Sequence, residues 1–268
     1  MNDTLNIKGQ LMDLSEPRVM GILNATPDSF YAASRQQTEE QIAERARQII
    51  GQGASFIDVG ACSTRPGADR ATEAEEMERL RTALAVVRRE QPGAVVSVDT
   101  FRPDVARMAV EEYGADVIND VSPTVEMFRM VSRLRVPYIL MSSKPTLREM
   151  LLEFAGWVQQ LRDFGQKDII LDPGFGFGKT LEENYAVLRE MEQLQVMDLP
   201  VLAGVSRKSM IYRFLGTSPD EALNGTTVLN TVALQKGAAI LRVHDVREAV
   251  ECVKIVQQIN WTRACSLV

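Results

Sequence analysis

The chain has 268 residues, of which 45% are hydrophobic, and a formal net charge of −6 at pH 7. The length and the apolar fraction suit one domain with a sizeable core. The acidic balance argues against a general nucleic-acid binder, which would carry a basic face, although a local cluster of Arg, Lys and backbone N–H groups could still bind an anion.

The composition also points to a compartment. No apolar stretch is long enough to span a membrane, and no basic segment followed by an apolar one marks a signal peptide. The three cysteines, Cys62, Cys252 and Cys265, are odd in number and lack metal-ligand spacing. We therefore expect no membrane association, a cytoplasmic protein, and a single domain over residues 1–268.

Eight short apolar runs are spread along the chain, and nearly all of them end in a polar residue or a glycine. In chain order they cover residues 19–23, 56–59, 95–98, 116–118, 136–141, 169–171, 201–205 and 240–243. Runs of this length suit parallel strands buried on both faces. Helical periodicity fills the intervals, at about 38–52, 72–90, 103–113, 125–134, 146–164, 181–194, 219–235 and 246–258.

Eight strands that alternate with eight helices predict an α/β fold, a closed (β/α)8 TIM barrel, with residues 1–17 as a short N-terminal lead-in across its floor. A doubly wound open sheet is the competing architecture. It would usually place a glycine-rich turn after its first strand, and the segment 24–30, Asn-Ala-Thr-Pro-Asp-Ser-Phe, has no glycine. In a TIM barrel the chemistry lies at the C-terminal strand ends, so the polar residues there are the candidate site.

Three of these strand ends carry Asp99, Asn119 and Asp172. A single Asp at such a position is usually a helix N-cap, but three on separate strands converge on one barrel mouth. They could read the edge of a heterocycle with adjacent N–H donors, because a carboxylate accepts two parallel hydrogen bonds. They could also hold a metal, although the single histidine excludes a His-rich site.

The segment that follows Asp172 is rich in glycine. It resembles a phosphate loop but fails the Walker pattern at Pro173 and the dinucleotide pattern at Lys179. Two interpretations stay open: a mobile loop with flexible glycines, or a loop that lets its backbone and Phe177 approach a flat ligand.

The last two strands are followed by basic residues. Lys208 could form a Schiff base or donate to a ring carbonyl or nitrogen. Arg242 and His244 stand two apart, so they point the same way, after the strand where this barrel usually binds phosphate. We favour an anion clamp over an Arg242 that merely pairs with a neighbouring acid. The second loop, residues 63–67, adds hydroxyls and Arg65 near the mouth.

Taken together, seven segments resemble the dihydropteroate synthase family, in the family's order and over about residues 18–258. They are MGILNATPDSF at 20–30, STRPG at 63–67, SVDT at 97–100, INDVS at 118–122, DPGFGFGKT at 172–180, GVSRKS at 204–209 and LRVHDV at 241–246. The resemblance implies condensation of p-aminobenzoate with 6-hydroxymethyl-7,8-dihydropterin pyrophosphate and release of pyrophosphate.

The resemblance also implies roles for individual residues. The pterin ring would be held by Asp99, Asn119, Asp172 and Lys208. Asn24 would ligate Mg²⁺ on the pyrophosphate. The departing phosphates would contact Thr64, Arg242 and His244, and the aminobenzoate would be bordered by Thr64, Pro66, Phe177 and Ser209. An SN1-like path with a neutral aryl amine requires no strong base, so we nominate no nucleophile and no base, and we expect no Schiff base on Lys208.

The chain departs from the family pattern in three loops. The first continues as Tyr-Ala-Ala-Ser-Arg at 31–35, the second has Ala-Cys at 61–62 in place of Gly-Glu, and the fifth strand ends in Met-Ser in place of Met-His at 141–142. The altered first and fifth loops make a catalytically silent pterin-binding paralogue an alternative. A methyltetrahydrofolate-binding methyltransferase, which shares the barrel and the Asp/Asn ring binding, is another, and a Schiff-base aldolase rests only on Lys208. Family resemblance further suggests a homodimer through outer helices near the C-terminal end.

Overall fold

The computed structural model describes residues 4–25, 35–62 and 71–265. Eight parallel strands lie within these ranges and alternate with helices, which confirms the predicted TIM barrel. They are β3 (Arg18–Asn24), β4 (Phe56–Gly60), β5 (Val95–Asp99), β6 (Val117–Asp120), β7 (Tyr138–Met141), β8 (Ile169–Asp172), β9 (Leu202–Ala203) and β10 (Ile240–Val243); the hairpin strands β1 (Thr4–Ile7) and β2 (Gln10–Asp13) precede them.

The barrel closes by a weak seam between its sixth and seventh strands, β8 and β9. The strand order is β8-β7-β6-β5-β4-β3-β10-β9, and a single parallel bridge between Leu171 and Val201 joins the two ends. The Leu171 amide also donates to the Pro200 carbonyl at 2.9 Å. The strand predicted at 201–205 is shortened to Leu202–Ala203, because the chain leaves this seam early to form the loop that carries Lys208.

The helices follow the predicted periodicity with two differences. They are α1 (Arg35–Gly51), α2 (Glu73–Glu90), α3 (Pro103–Tyr113), α4 (Val125–Leu134), α5 (Leu147–Asp163), α6 (Leu181–Glu190), α7 (Ser209–Leu215), α8 (Leu223–Gln235) and α9 (Val246–Cys265). The helix predicted at 219–235 begins only at Leu223, and α7 was not predicted because seven residues are too few to show a period. A 3₁₀ helix, Met191–Met197, extends α6.

The floor of the barrel is apolar and is plugged by the lead-in, as predicted. Inward-facing side chains of the strands meet three from the lead-in, Leu5, Ile7 and Leu14; the strand residues are Met20, Phe56, Val117, Ile139, Ile170, Leu202 and Ile240. The hairpin is tied to the barrel by Lys8, which lies 2.5 Å from Asp116. No helix in the described ranges is both long and apolar enough to cross a membrane.

Candidate active site at the barrel mouth

Side chains alternate along a strand, so the residues two positions beyond the floor layer also point into the barrel. These positions hold Asp58 after Phe56, Asn119 after Val117, Asp172 after Ile170 and Arg242 after Ile240. The interior therefore changes from apolar to charged within one layer. The mouth is built on this second layer.

Arg242 lies at the centre of the polar layer. Its Nε donates to Asp58 Oδ2 at 2.7 Å, and its Nη2 donates to Asp99 Oδ2 at 2.7 Å. Although burial lowers it, the two carboxylates hold the pKa of Arg242 above its usual value. Arg242 thus pairs with neighbouring acids, the arrangement that the sequence analysis ranked second, and any anion would meet an arginine that is already held in place.

Asp58 is a site residue that the sequence analysis missed. It is completely buried in the middle of β4. A charged residue inside an apolar strand is rarely buried without a partner, and Asp58 stands two positions before Gly60 at the strand end. Residues two apart on a strand point to the same side, and this spacing is the signal that could have revealed Asp58 as a site residue.

Asn119 is joined to the same carboxylate. Its Nδ2 donates to Asp58 Oδ2 at 3.2 Å. Within the described part of the chain, Asn119 Oδ1 and Asp58 Oδ1 are buried and have no hydrogen-bond partner. Since buried polar atoms are normally paired, these two unpaired acceptors fit a ligand that brings N–H donors.

Asp172 and Lys208 lie on the opposite wall with Phe177. Asp172 Oδ1 accepts the Gly174 amide at 2.8 Å. Lys208 Nζ donates to the Phe175 carbonyl and lies 4.7 Å from the centre of the Phe177 ring. Burial lowers the pKa of Lys208 to about 8, opposed by the carboxylate of Asp172. The glycine-rich loop therefore contacts Lys208 both through its backbone and through its aromatic ring.

Two of the predicted ring-binding residues, Asp99 and Asp172, have perturbed carboxyl groups. Burial raises the pKa of Asp99 to about 7, and the Arg242 guanidinium opposes that rise. Burial also raises the pKa of Asp172, opposed by Lys208. Perturbed groups concentrated in one cleft are typical of functional sites.

His244, which directly follows β10, lies beside Ser206, which is on the loop after β9. His244 Nδ1 is 3.0 Å from Ser206 Oγ, and the His244 amide donates to the same oxygen at 3.1 Å. Burial, together with the positive charge of the neighbouring Arg242, lowers the pKa of His244 to about 4. The imidazole is therefore neutral at pH 7, so its part in an anion clamp is that of a hydrogen-bond donor.

Asn24 ends β3 and is exposed at the mouth. A Cβ placed on Gly60 would lie 3.9 Å from Asn24 Oδ1 and 3.8 Å from Asp99 Oδ2, so the amide and the carboxylate flank this glycine. Thr64, Arg65 and Pro66 lie outside the described residues. No group of three or more His, Cys, Asp or Glu suited to a metal occurs in the described ranges.

The altered end of β7 is absorbed into a local network. Ser142 Oγ donates to Glu153 Oε2 at 2.6 Å, with Lys144 Nζ 3.6 Å from the same carboxylate. Lys179 donates to the carbonyls of Gly174 at 2.9 Å and Ser142 at 3.3 Å. These bonds anchor the glycine-rich loop to β7 without the histidine that the family pattern leads one to expect.

The sequence of the chain is similar to those of known pterin-binding enzymes. The profile of the family described as pterin binding enzyme matches residues 20–244. A dihydropteroate synthase of Escherichia coli strain K12 is 36% identical over 268 residues, with 93% of this chain and 94% of that protein covered. The chain belongs to the dihydropteroate synthase family of pterin-binding enzymes.

Solved members of the dihydropteroate synthase family share the fold closely. The Xanthomonas albilineans enzyme, in complex with indole-2-carboxylic acid and 6-chloroguanine, gives a TM-score of 0.90 at 33% identity over 97% of this chain and 99% of its own. The Clostridium difficile enzyme, in the presence of pteroic acid, gives 0.87 at 31% identity over 91% and 97%. The predicted resemblance and the transferase class are confirmed, and the methyltransferase alternative is not favoured.

Proposed function

We propose that this protein condenses p-aminobenzoate with 6-hydroxymethyl-7,8-dihydropterin pyrophosphate and releases pyrophosphate. The observation that carries the proposal is the convergence of Asp99, Asn119, Asp172 and Lys208 on one barrel mouth. These residues come from four separate strands or loops, so chance proximity in sequence does not explain their meeting.

Recognition of the pterin follows from the donor and acceptor inventory of this wall. A 2-amino-4-oxo pyrimidine edge offers adjacent N–H donors, which suit the carboxylate of Asp172. Its ring oxygen suits the ammonium of Lys208. On the other side, the buried and unpartnered Asn119 Oδ1 supplies an acceptor within the described residues. In this arrangement Lys208 remains a hydrogen-bond donor and forms no covalent bond.

The leaving pyrophosphate would lie beside β10, against Arg242 and His244, with Thr64 and Arg65 contributed by the second loop. Arg242 brings the positive charge, since His244 is neutral, and it is pre-positioned by Asp58 and Asp99. Donors that are already oriented toward developing negative charge lower the barrier without reorganisation.

A magnesium ion fits the oxygen donors at the end of β3. Asn24 Oδ1 and the Asp99 carboxylate flank Gly60, and Mg²⁺ usually takes one or two protein oxygens and completes its shell with phosphates and water. We propose Asn24 as its protein ligand. When bound, it would neutralise charge on the pyrophosphate.

The chemistry needs little from the protein beyond orientation. The electron-rich dihydropterin can stabilise positive charge at its exocyclic methylene as pyrophosphate departs, so an SN1-like path is available. The aryl amine is neutral at pH 7 and attacks without a base. Phe177 and Ser209, with Thr64 and Pro66, would border the aminobenzoate and hold its nitrogen in line.

A pyrophosphate-release assay tests the proposal. With the pterin pyrophosphate and Mg²⁺, we expect release that depends on p-aminobenzoate and yields dihydropteroate. Asp172→Asn should lower kcat/KM by about 10² or more, because it removes the carboxylate that reads the ring. If the purified protein binds the pterin but releases no pyrophosphate, it is a silent pterin-binding paralogue and the proposed reaction is wrong.

We also propose a cytoplasmic homodimer. Support comes from apolar side chains that are exposed on three consecutive outer helices: Phe214 (65%) and Leu215 (53%) on α7, Val228 (53%) on α8 and Ile255 (62%) on α9. Exposed apolar patches of this kind mark association surfaces. Sedimentation of Ile255→Lys should give a monomer, while Leu152→Lys on α5, where the leucine is also exposed (70%), should leave the dimer intact.

A further inference from the structure

The hydrogen bonds around the only histidine of the chain fix more than its position. The Ser206 hydroxyl accepts the His244 backbone amide at 3.1 Å and lies 3.0 Å from the Nδ1 of the same residue. Ser206 is 4% exposed, and among the described residues its oxygen has hydrogen-bond partners only in His244. Serine and histidine thus form a closed pair.

The direction of the second bond follows from the donors available. A hydroxyl carries one proton and two lone pairs. One lone pair of Ser206 Oγ accepts the backbone amide, and the buried hydroxyl proton needs an acceptor. Nδ1 is the acceptor that the described structure offers, so it must carry a lone pair and the proton of a neutral imidazole must be on Nε2.

The surroundings hold this geometry rigidly. Arg45 Nη2 donates to the His244 carbonyl at 2.6 Å and ties it to α1. Arg207 makes a two-pronged ion pair with Asp245, both bonds 2.8 Å long, which joins the loop of Ser206 to the residue after His244. These bonds fix the backbone at His244, and the hydrogen bond that holds the ring itself is the one between Nδ1 and Ser206 Oγ.

We propose that Ser206 is a positioning residue that sets the Nε2–H tautomer of His244 and so presents a hydrogen-bond donor to the leaving pyrophosphate. This inference rests on the proposed function of the site. Phosphate oxygens only accept hydrogen bonds, so a ring with its Nε2 lone pair toward them would repel the anion. The depressed pKa of His244, about 4, agrees, because it leaves tautomer choice rather than charge to decide the contact.

Nitrogen NMR of the single histidine tests the tautomer directly. In the ¹⁵N-labelled protein at pH 7 we expect Nε2 protonated and Nδ1 unprotonated. A protonated Nδ1, alone or in an imidazolium, would overturn the proposal whatever the variants do. In Ser206→Ala the ¹⁵N chemical shifts of the two ring nitrogens should converge, because both tautomers become populated. Ser132→Ala should leave both chemical shifts unchanged.

Ser132→Ala is a matched control, since its hydroxyl also makes one bond, to the Phe128 carbonyl at 2.7 Å, but on the distant helix α4. Binding of inorganic pyrophosphate with MgCl₂ supplies the functional readout. If the two tautomers become equally populated, about half of the Ser206→Ala molecules present the donor, so the affinity for pyrophosphate should fall about twofold, with no change in Ser132→Ala.

Kinetics separate positioning from a structural role. For Ser206→Ala we expect KM for the pterin substrate to rise and kcat to fall, with KM for p-aminobenzoate unchanged. If the wild-type protein and Ser206→Ala bound pyrophosphate with equal affinity, the claim that Ser206 assists pyrophosphate binding would be refuted. Absence of turnover in the wild-type protein would refute the proposed reaction instead, and would leave the NMR and pyrophosphate measurements interpretable.

Discussion

The floor and the mouth of the barrel are one layer apart, and they are built on opposite principles. At the floor, Leu5, Ile7 and Leu14 close an apolar interior against residues such as Phe56. At the mouth, a half-buried Arg242 lies between two carboxylates, of which that of Asp58 is completely buried. Removal of apolar surface from water at the floor stabilises the folded protein. Desolvation of the charged groups at the mouth is unfavourable, and their mutual attraction offsets it.

The difference teaches where stability and function reside. The apolar layer offers no hydrogen-bonding partner to a polar ligand, and its packing is complete without one. A charged layer contributes little net stability, but it holds its groups in fixed orientations toward a ligand. Substitutions at the floor should therefore change stability alone, and substitutions at the mouth should change activity first.

The largest effect is expected for Arg242→Met. Removal of one partner from a buried ion pair costs about 3–5 kcal/mol, and here it leaves both Asp58 and Asp99 without their cation. Loss of an oriented donor to the leaving group should also lower kcat by about 10²–10³. Urea unfolding and steady-state kinetics measure the two parts.

A double variant sharpens this result. Adding Asp58→Asn to Arg242→Met removes one of the stranded carboxylates, so stability should recover in part while activity stays low. If Arg242→Met were as stable as the wild type, the mouth would not depend on this ion pair, and the contrast with the floor would disappear.

At the floor, Leu5→Ala should lower the free energy of unfolding by about 2–5 kcal/mol, because it leaves a cavity under a fully packed layer. The kcat of the folded fraction should stay within about twofold of the wild type. Leu11→Ala is the matched control, since Leu11 is on the same hairpin but 73% exposed, and it should be nearly neutral. A large fall in kcat for Leu5→Ala would show that the two ends are coupled.

The charged mouth should also respond to pH within a narrow window. As pH falls through about 7, Asp99 takes up a proton and ceases to accept hydrogen bonds as a carboxylate. As pH rises through about 8, Lys208 loses its charge. The profile of kcat/KM for the pterin substrate should be bell-shaped, with each limb falling about tenfold per pH unit.

A variant identifies the alkaline limb. Burial lowers the pKa of Lys179 to about 8 as well, but this lysine contacts backbone carbonyls of the glycine-rich loop. Lys179→Met should keep the alkaline limb if Lys208 causes it. A profile that is flat between pH 6 and 9 would exclude both assignments.

The smallest effect is expected for Lys8→Met at the floor. The Lys8 side chain is 57% exposed, and Asp116 keeps Arg88 at 2.8 Å when the lysine is lost. An exposed ion pair contributes about 1 kcal/mol or less. Thermal unfolding at low and high salt would measure this, and a loss above about 2 kcal/mol would mean that the hairpin depends on charge rather than on its apolar side chains.

How much of this could be predicted depends on where each residue stands. Asp99, Asn119 and Asp172 were found because a polar residue that ends an apolar run lies at the C-terminal end of a strand, and in a TIM barrel those ends form the mouth. Asp58 was missed because it lies inside the run, where period-two parity had to be tracked from the strand end. The short helix α7 was missed because seven residues show no period.

The sequence by itself determined the number of strands, their order and the set of polar strand ends, because hydrophobic periodicity and chain connectivity are local properties that folding does not alter. Only the tertiary structure decided which of those groups are partners. Whether Arg242 pairs with Asp58, or Ser206 with His244, depends on distances between strands that are far apart in the chain. Those distances are set by closure of the barrel, and no local pattern records them.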